Sequence, residues 1–280
     1  MRTALFGSKR IDVPVVGQGT WNLERADEKT AVAALQAGIA AGMTHIDTAE
    51  LYGGGRAERI VARAIAGRRD EVFVVSKVLP SNAAYEDTLH ACERTLERLG
   101  TDYLDVYLLH WRGDVPLAET FRAFETLERT GKIKAYGVSN FDVDDLEEAL
   151  AITGEGRIAC NQVLYHLLER SIEYALIPWC RNHDVAVVAY SPFGSGSFPA
   201  LQRGGGQALA EIATQRSLSA HQVALAFLIK QGNVFAIPKA GSVGHVLKNA
   251  AAGDVELSAA EMHALDAAFP AKRRRRLAMI

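Results

Sequence analysis

Short apolar runs alternate with longer amphipathic ones along this chain. Runs rich in β-branched residues predict eight strands, at Val13–Val16, Thr44–Asp47, Val72–Lys77, Tyr103–His110, Lys134–Ser139, Ala159–Val163, Val185–Tyr190 and Val234–Pro238. Several, such as VFVVS and VAVVAY, are almost wholly apolar, which suits strands covered on both faces of a parallel sheet. Between them lie helical patterns. YEDTLHACERTLERLG puts Leu89, Cys92, Leu96 and Leu99 on one face and stops at Gly100. DVDDLEEALAITG opens on Asp142, an N-cap residue, and stops at Gly154, and a further helical stretch stops at Gly42. More helices are predicted over 55–66, 117–130, 172–183, 219–231, 244–252 and 258–268.

Strands alternating with helices mean βαβ units. Eight such pairs in 280 residues favour an α/β fold of the closed (β/α)8 TIM-barrel kind over an open doubly wound sheet. No linker or composition break divides the chain, so a single domain over 1–280 is expected, with a short N-terminal hairpin before Val13 capping the barrel floor. The stretch GSGSFPALQRGGGQ, Gly194 to Gln207, follows the seventh strand. It reads either as a mobile loop or as one that folds over a ligand.

Composition narrows the classes. A hydrophobic share of 49% suffices for a large core, and a net charge of −2 gives no reason to expect nucleic acid or an anionic membrane as partner. The basic run Lys272–Arg276 is the local exception, and it reads as a solvated tail. The three cysteines, Cys92, Cys160 and Cys180, are odd in number and widely spaced, which speaks against a disulfide framework or a zinc site and fits a reducing cytoplasm. No signal peptide and no membrane span are expected.

A barrel carries its chemistry at the carboxyl ends of its strands. Those ends hold Asp47 with Tyr52 close behind, Lys77, His110 with Trp111, Ser139 and Asn140, Asn161 and Gln162, Tyr190 and Ser191, and Lys239. Asp47, Tyr52, Lys77 and His110 make chemical sense as a set. Free tyrosine, with a pKa of about 10, is a poor acid, and a neighbouring ammonium favours its phenolate. Lys77 can supply that ammonium, Asp47 can be its counter-charge, and a neutral His110 can orient a substrate oxygen. The set is a general acid aimed at a carbonyl oxygen. Each residue also has a plainer reading: Asp47 a cap, Tyr52 a loop aromatic, His110 a core histidine. His45 reads as a packing or supporting residue. A metal held by His45, Asp47 and His110 lacks a ligand-spaced motif, so no metal is expected.

The pieces GQGTW (17–21), GMTHIDTAELYG (42–53), SKV (76–78), YLDVYLLHW (103–111), GKIKAYGVSNF (131–141), NQVLYH (161–166), VAYSPFG (188–194) and IPKAGS (237–242) resemble, in order and spacing, the aldo-keto reductases over nearly the whole chain. The resemblance is to bacterial aldehyde and methylglyoxal reductases in particular. It implies a catalytic tetrad of Asp47, Tyr52, Lys77 and His110, with Tyr52 as proton donor. It implies a nicotinamide cofactor held without a Rossmann domain, and the chain has no complete G-x-G-x-x-G. Ser139, Asn140 and Gln162 would hold the carboxamide, Tyr190 would stack on the nicotinamide, and Ser191, Phe193 and Ser195 would line the pyrophosphate path. Lys239, Ser242, His245 and Asn249 match the adenosine end. His245 stands where an arginine is common, Ala240 where a serine is, and Lys248 where a glutamate is, so NADPH is expected with room for NADH. Trp21 and Trp111 would wall the substrate pocket. Only residues 270–280 follow the last predicted helix, which suggests an open pocket for small aldehydes. The expected protein is a cytoplasmic, monomeric, NADP-dependent reductase of a small carbonyl substrate. The rivals are a metal-dependent lyase or isomerase on the same barrel, and a nucleotide-binding redox sensor or subunit with little turnover.

Overall fold

The computed structural model describes residues 1–273 and 276–280, so the middle of the basic run, Arg274 and Arg275, lies outside the described residues. Eight parallel strands follow one another around the sheet in chain order: β3 (Gln18–Gly19), β4 (His45–Asp47), β5 (Phe73–Val78), β6 (Leu104–Leu109), β7 (Ile133–Ser139), β8 (Ile158–Leu164), β9 (Ala186–Tyr190) and β10 (Val234–Ala236). Before them, β1 (Thr3–Phe6) and β2 (Ile11–Pro14) form the antiparallel hairpin. The ring closes where Val16 bridges Ala236 in parallel, with the Gly17 N–H donating to the Ala236 carbonyl at 2.8 Å and the Ala236 N–H to Val15 at 2.9 Å. Every residue of β5, β6 and β8 is buried, as strands covered on both faces are, the polar Ser76, Lys77, Asp105, Asn161 and Gln162 included.

The described helices are α1 (Glu28–Ala40), α2 (Arg56–Ala64), α3 (Tyr85–Leu99), α4 (Leu117–Arg129), α5 (Val143–Thr153), α6 (Leu176–Asn182), α7 (Gly205–Gln215), α8 (Ala220–Leu228), α9 (Val243–Ala252) and α10 (Ala259–Ala268). Their punctuation follows the sequence. Asp142 caps α5 by accepting the Asp145 N–H at 3.0 Å, and Gly100 ends α3 in the left-handed region at φ 63°.

Three expectations need correction. The first barrel strand is not Val13–Val16, because Val13 and Pro14 belong to the hairpin and the barrel strand begins beyond them. That strand is short and glycine-flanked because its neighbours press close. A Cβ on Gly17 would lie 2.7 Å from the His45 carbonyl oxygen, and one on Gly19 2.6 Å from that of Ile237. The helix expected over 172–183 is broken into a short 3-10 turn and α6. Pro178 stands in the first turn of α6, and its ring excludes a helical carbonyl four residues earlier. Finally, the stretch taken for a loop to Gln207 turns helical at Gly205, burying Leu209, Ile212 and Ala213. The glycines at the start of α7 hid a spacing that is itself helical.

The hairpin plugs the barrel floor. Phe6 is buried, with ring centroids 5.0 Å from both Phe73 and Phe235 and 5.9 Å from His45. The next residue, Gly7, turns at φ 53°, and a Cβ there would stand 2.1 Å from the Ala159 carbonyl oxygen on β8. Gly7→Ala should therefore destabilise the fold by about 2 kcal/mol or more, from left-handed strain together with a backbone clash. Urea unfolding measures this, and an unchanged midpoint would mean that the hairpin is not seated on β8.

Candidate active site

The carboxyl ends of β4, β5 and β6 bring the first three polar groups together. Asp47 closes β4, Lys77 is the fifth residue of β5, and His110 follows β6 directly. Tyr52 sits on a 3-10 turn over Tyr52–Gly55. Lys77 is fully buried, and its ammonium meets three acceptors: Asp47 Oδ1 at 2.6 Å, the Thr48 carbonyl at 2.8 Å and the Tyr52 hydroxyl at 3.2 Å. An ammonium has three protons to donate, so the site satisfies it completely. Asp47 turns its second oxygen to Gln162 Nε2 at 2.7 Å, so both of its oxygens accept; burial raises its pKa, and Lys77 and Gln162 oppose that rise by favouring the carboxylate.

Burial and charge set the titration of the site. Burial alone would lower Lys77, but Asp47 and Tyr52 outweigh it and its pKa is raised, so it stays charged. Burial pushes Tyr52 above the ordinary tyrosine value, and Lys77 offsets this only in part. Lys77 does act to lower the phenol, as its closeness to Tyr52 predicts, but the loss of water acts more strongly. Burial and Lys77 together hold His110 down to about 2, a neutral imidazole whose Nδ1 meets no hydrogen-bond partner among the described residues. The Tyr52 and His110 rings meet edge to face at 5.8 Å.

A second polar group stands across the mouth. Ser139 Oγ donates to the Gln162 carbonyl at 2.9 Å, and Asn140 Nδ2 to the His110 carbonyl at 3.1 Å. The Tyr190 hydroxyl donates to Asn140 Oδ1 at 2.9 Å, and Asn140 itself is left-handed at φ 62°. These groups share one cavity of about 250 Å³ with Asp47, Tyr52 and His110, while Lys77 lies buried behind its wall; the cavity is walled by Trp21, Trp111, Leu51 and Ile237 and reaches Ser191 and Lys239. Phe193, Ser195, Ser242, His245 and Asn249 do not line it. Phe193 packs on Phe198 and His221, with centroids 6.0 and 4.7 Å away. Ser242 caps α9 by accepting the His245 N–H at 3.4 Å. His245 is exposed and Asn249 buried on that helix. The turn after β9 holds Ser191, Gly194, Ser195 and Gly196 all at positive φ, a backbone form that lets N–H groups converge on an anion.

Residues 15–269 match the model of the aldo/keto reductase family. The chain belongs to this family. It is 48% identical to the methylglyoxal reductase YeaE of Escherichia coli over 94% of this chain and 93% of the relative. It is 36% identical to the glyoxal reductase of Bacillus subtilis over 92% and 89% of the two chains. The crystal structure of an aldo-keto reductase from Klebsiella pneumoniae in complex with NADPH superposes with a TM-score of 0.93 at 44% identity, covering 100% of both chains.

In this aldo/keto reductase some site residues carry no sequence signal. Thr48 contributes only its carbonyl. Thr20, whose hydroxyl donates to the Asp47 carbonyl at 2.9 Å, is an unremarked residue of GQGTW. The tail is the larger correction. Far from leaving the pocket open, it returns across the barrel mouth, so that Met279 and Ile280 line the cavity. Its path is pinned by Arg170, which donates to the Phe269 carbonyl at 2.5 Å, and by the Tyr174 hydroxyl, which donates to Ala271 at 3.0 Å.

His45 packs rather than reacts. Neither ring nitrogen meets a partner among the described residues, Phe6 and Phe73 meet the ring edge-on, and burial lowers its pKa to about 3. In the unfolded chain it takes its proton near pH 6.5. Its contribution to stability is therefore intact above pH 6.5 and lost as pH falls from there toward 3, by about 1.4 kcal/mol per pH unit. His45→Leu should flatten the fall in unfolding free energy between pH 6.5 and 4.5 by about that slope. Urea titrations at the two pH values read the difference, and equal slopes would refute the buried neutral imidazole.

Proposed function

We propose that this chain reduces small aldehydes and ketones, 2-oxoaldehydes such as methylglyoxal among them, using NADPH, with Tyr52 as proton donor. The observation that carries the reading is the buried Lys77 ammonium held between Asp47 and the Tyr52 hydroxyl, two groups that line one cavity with His110. The nicotinamide, when bound, supplies the hydride. The chain does the rest. Tyr52 gives its proton to the carbonyl oxygen, and Lys77 stabilises the phenolate left behind. Asp47 keeps Lys77 charged and aimed, and the neutral His110 imidazole orients the oxygen.

The residues fit such a cofactor. Asn140, Ser139 and Gln162 converge beside the tetrad as a carboxamide would need, and Gln162, with its nitrogen on Asp47, offers its Oε1. Tyr190 presents a ring at the same cavity. The left-handed turn that holds Ser191 and Ser195, flanking Phe193, suits a pyrophosphate, and Lys239 with Ser242, His245 and Asn249 suits a 2′-phosphorylated adenosine. Because His245 replaces a permanent charge, NADH is also used, less tightly. Similarity to methylglyoxal and glyoxal reductases supports the small substrate, and Trp21 and Trp111 give it apolar walls. We infer one barrel domain over 1–280 acting as a cytoplasmic monomer. The three cysteines are free and buried, as a reducing compartment permits.

Tyr52→Phe should abolish aldehyde reduction, by a thousandfold or more, while NADPH still quenches the protein fluorescence with unchanged affinity. With Tyr52 raised above about 10, wild-type kcat should stay flat through neutral pH and fall only as the phenol loses its proton. Turnover that survives the substitution would sink the assignment of the donor, and failure to bind either NADPH or NADH would sink the reductase reading.

A further inference from the structure

The turn that carries Tyr52 has almost no side chains with which to hold itself. Tyr52 is followed by Gly53, Gly54 and Gly55, left-handed at φ 57°, 61° and 84°. Glycine is the most permissive backbone, whereas a proton donor tolerates little displacement. The restraint has to come from elsewhere.

Two side chains fill the space that the glycines leave. A Cβ on Gly53 would fall 2.4 Å from Glu24 Cγ, and one on Gly55 would fall 2.4 Å from Arg98 Cδ and 2.5 Å from its Nε, while one on Gly54 would meet nothing within 4 Å among the described residues. Arg98 comes from the last turn of α3, and it is itself held. Its Nε donates to Glu58 Oε2, and its Nη2 to Thr95 Oγ1 at 3.1 Å. Glu58, on α2, is fully buried, and its other oxygen accepts from Ser76 Oγ at 2.8 Å. Ser76 is the neighbour of Lys77 on β5. One chain of contacts thus runs from the Gly55 backbone through Arg98 and Glu58 to the strand that carries the ammonium, and Lys77 closes it by bonding Tyr52. A buried ion pair is a poor stabiliser compared with apolar packing, but it fixes direction.

We propose that Arg98, locked by Glu58, is a positioning residue that holds the Gly53–Gly55 turn and so keeps the Tyr52 hydroxyl on Lys77. The proposal rests on Tyr52 being the proton donor, as argued above.

The test uses Arg98→Met combined with Glu58→Gln, which leaves no unpaired buried carboxylate, and Arg98→Lys, which keeps the charge but not the flat guanidinium against Gly55. The readouts are kcat and KM for methylglyoxal, NADPH affinity by fluorescence, and hydrogen exchange of the Gly54 amide, which bonds the Leu51 carbonyl at 3.2 Å. The double variant should lose kcat about ten- to hundredfold with NADPH affinity within about twofold and faster Gly54 exchange. Arg98→Lys should lose an intermediate about three- to tenfold, and it decides alone if the double variant does not fold. A folded variant with kcat within about twofold of wild type, or one whose kcat falls only in step with lost NADPH affinity, overturns the proposal. Should the wild-type protein bind NADPH but reduce no aldehyde, the reading of Tyr52 fails instead, and Gly54 exchange still judges the clamp, with unchanged exchange overturning it.

Discussion

A charged lysine buried out of contact with solvent is the constraint on which this site is built. Lys77 is fully buried at the end of an apolar strand, where an ammonium without partners would shed its proton or unfold its surroundings. It does neither because Asp47, the Thr48 carbonyl and the Tyr52 hydroxyl absorb its three donors. Two of those acceptors lie within two residues of each other at the end of β4, and the third rides on the turn that follows. The parallel register of β4 on β5, Asp47 beside Val75, is what brings them to the ammonium. The chemistry is thus a consequence of strand pairing.

The same charge disciplines its neighbours. Lys77 adds to the effect of burial in keeping both His45 and His110 neutral. One of these histidines has become packing on the floor side of the barrel, the other a neutral ring at its mouth. The identical residue type takes two roles because His45 faces Phe6 and Phe73, whereas His110 faces the cavity with Tyr52.

Much of this was legible in the sequence, and for a definite reason. Polar residues that end apolar strands must either be satisfied in place or act, so Asp47, Lys77, His110, Asn140 and Gln162 announced themselves against their surroundings. What stayed hidden had no such contrast. Thr48 acts through a backbone carbonyl, which every residue has. Met279 and Ile280 reach the cavity by a path set by Arg170 and Tyr174, a hundred residues away in the chain. The start of α7 was masked by glycines, and β3 by an apolar run in which the hairpin ends and the barrel begins. The roles of Phe193, Ser195, Ser242, His245 and Asn249 rest on the resemblance alone, and the cavity leaves all five out.

The raised pKa of Tyr52 looks at first like an obstacle to its proposed work, since a stronger acid would give up its proton more readily. The direction of the reaction resolves this. A carbonyl oxygen receiving hydride becomes an alkoxide, far more basic than any phenolate, so transfer is downhill even from a phenol above its ordinary value. The proposed step needs Tyr52 to hold its proton until that basicity develops, and burial acts in that direction. On that reading Lys77 matters after the transfer, when its buried charge meets a new phenolate at hydrogen-bond distance. The reverse reaction, oxidation of an alcohol, needs the phenolate beforehand. Desolvation of Tyr52 therefore favours the protonated phenol that the proposed reduction uses, and this comes from burial acting against the pull of Lys77.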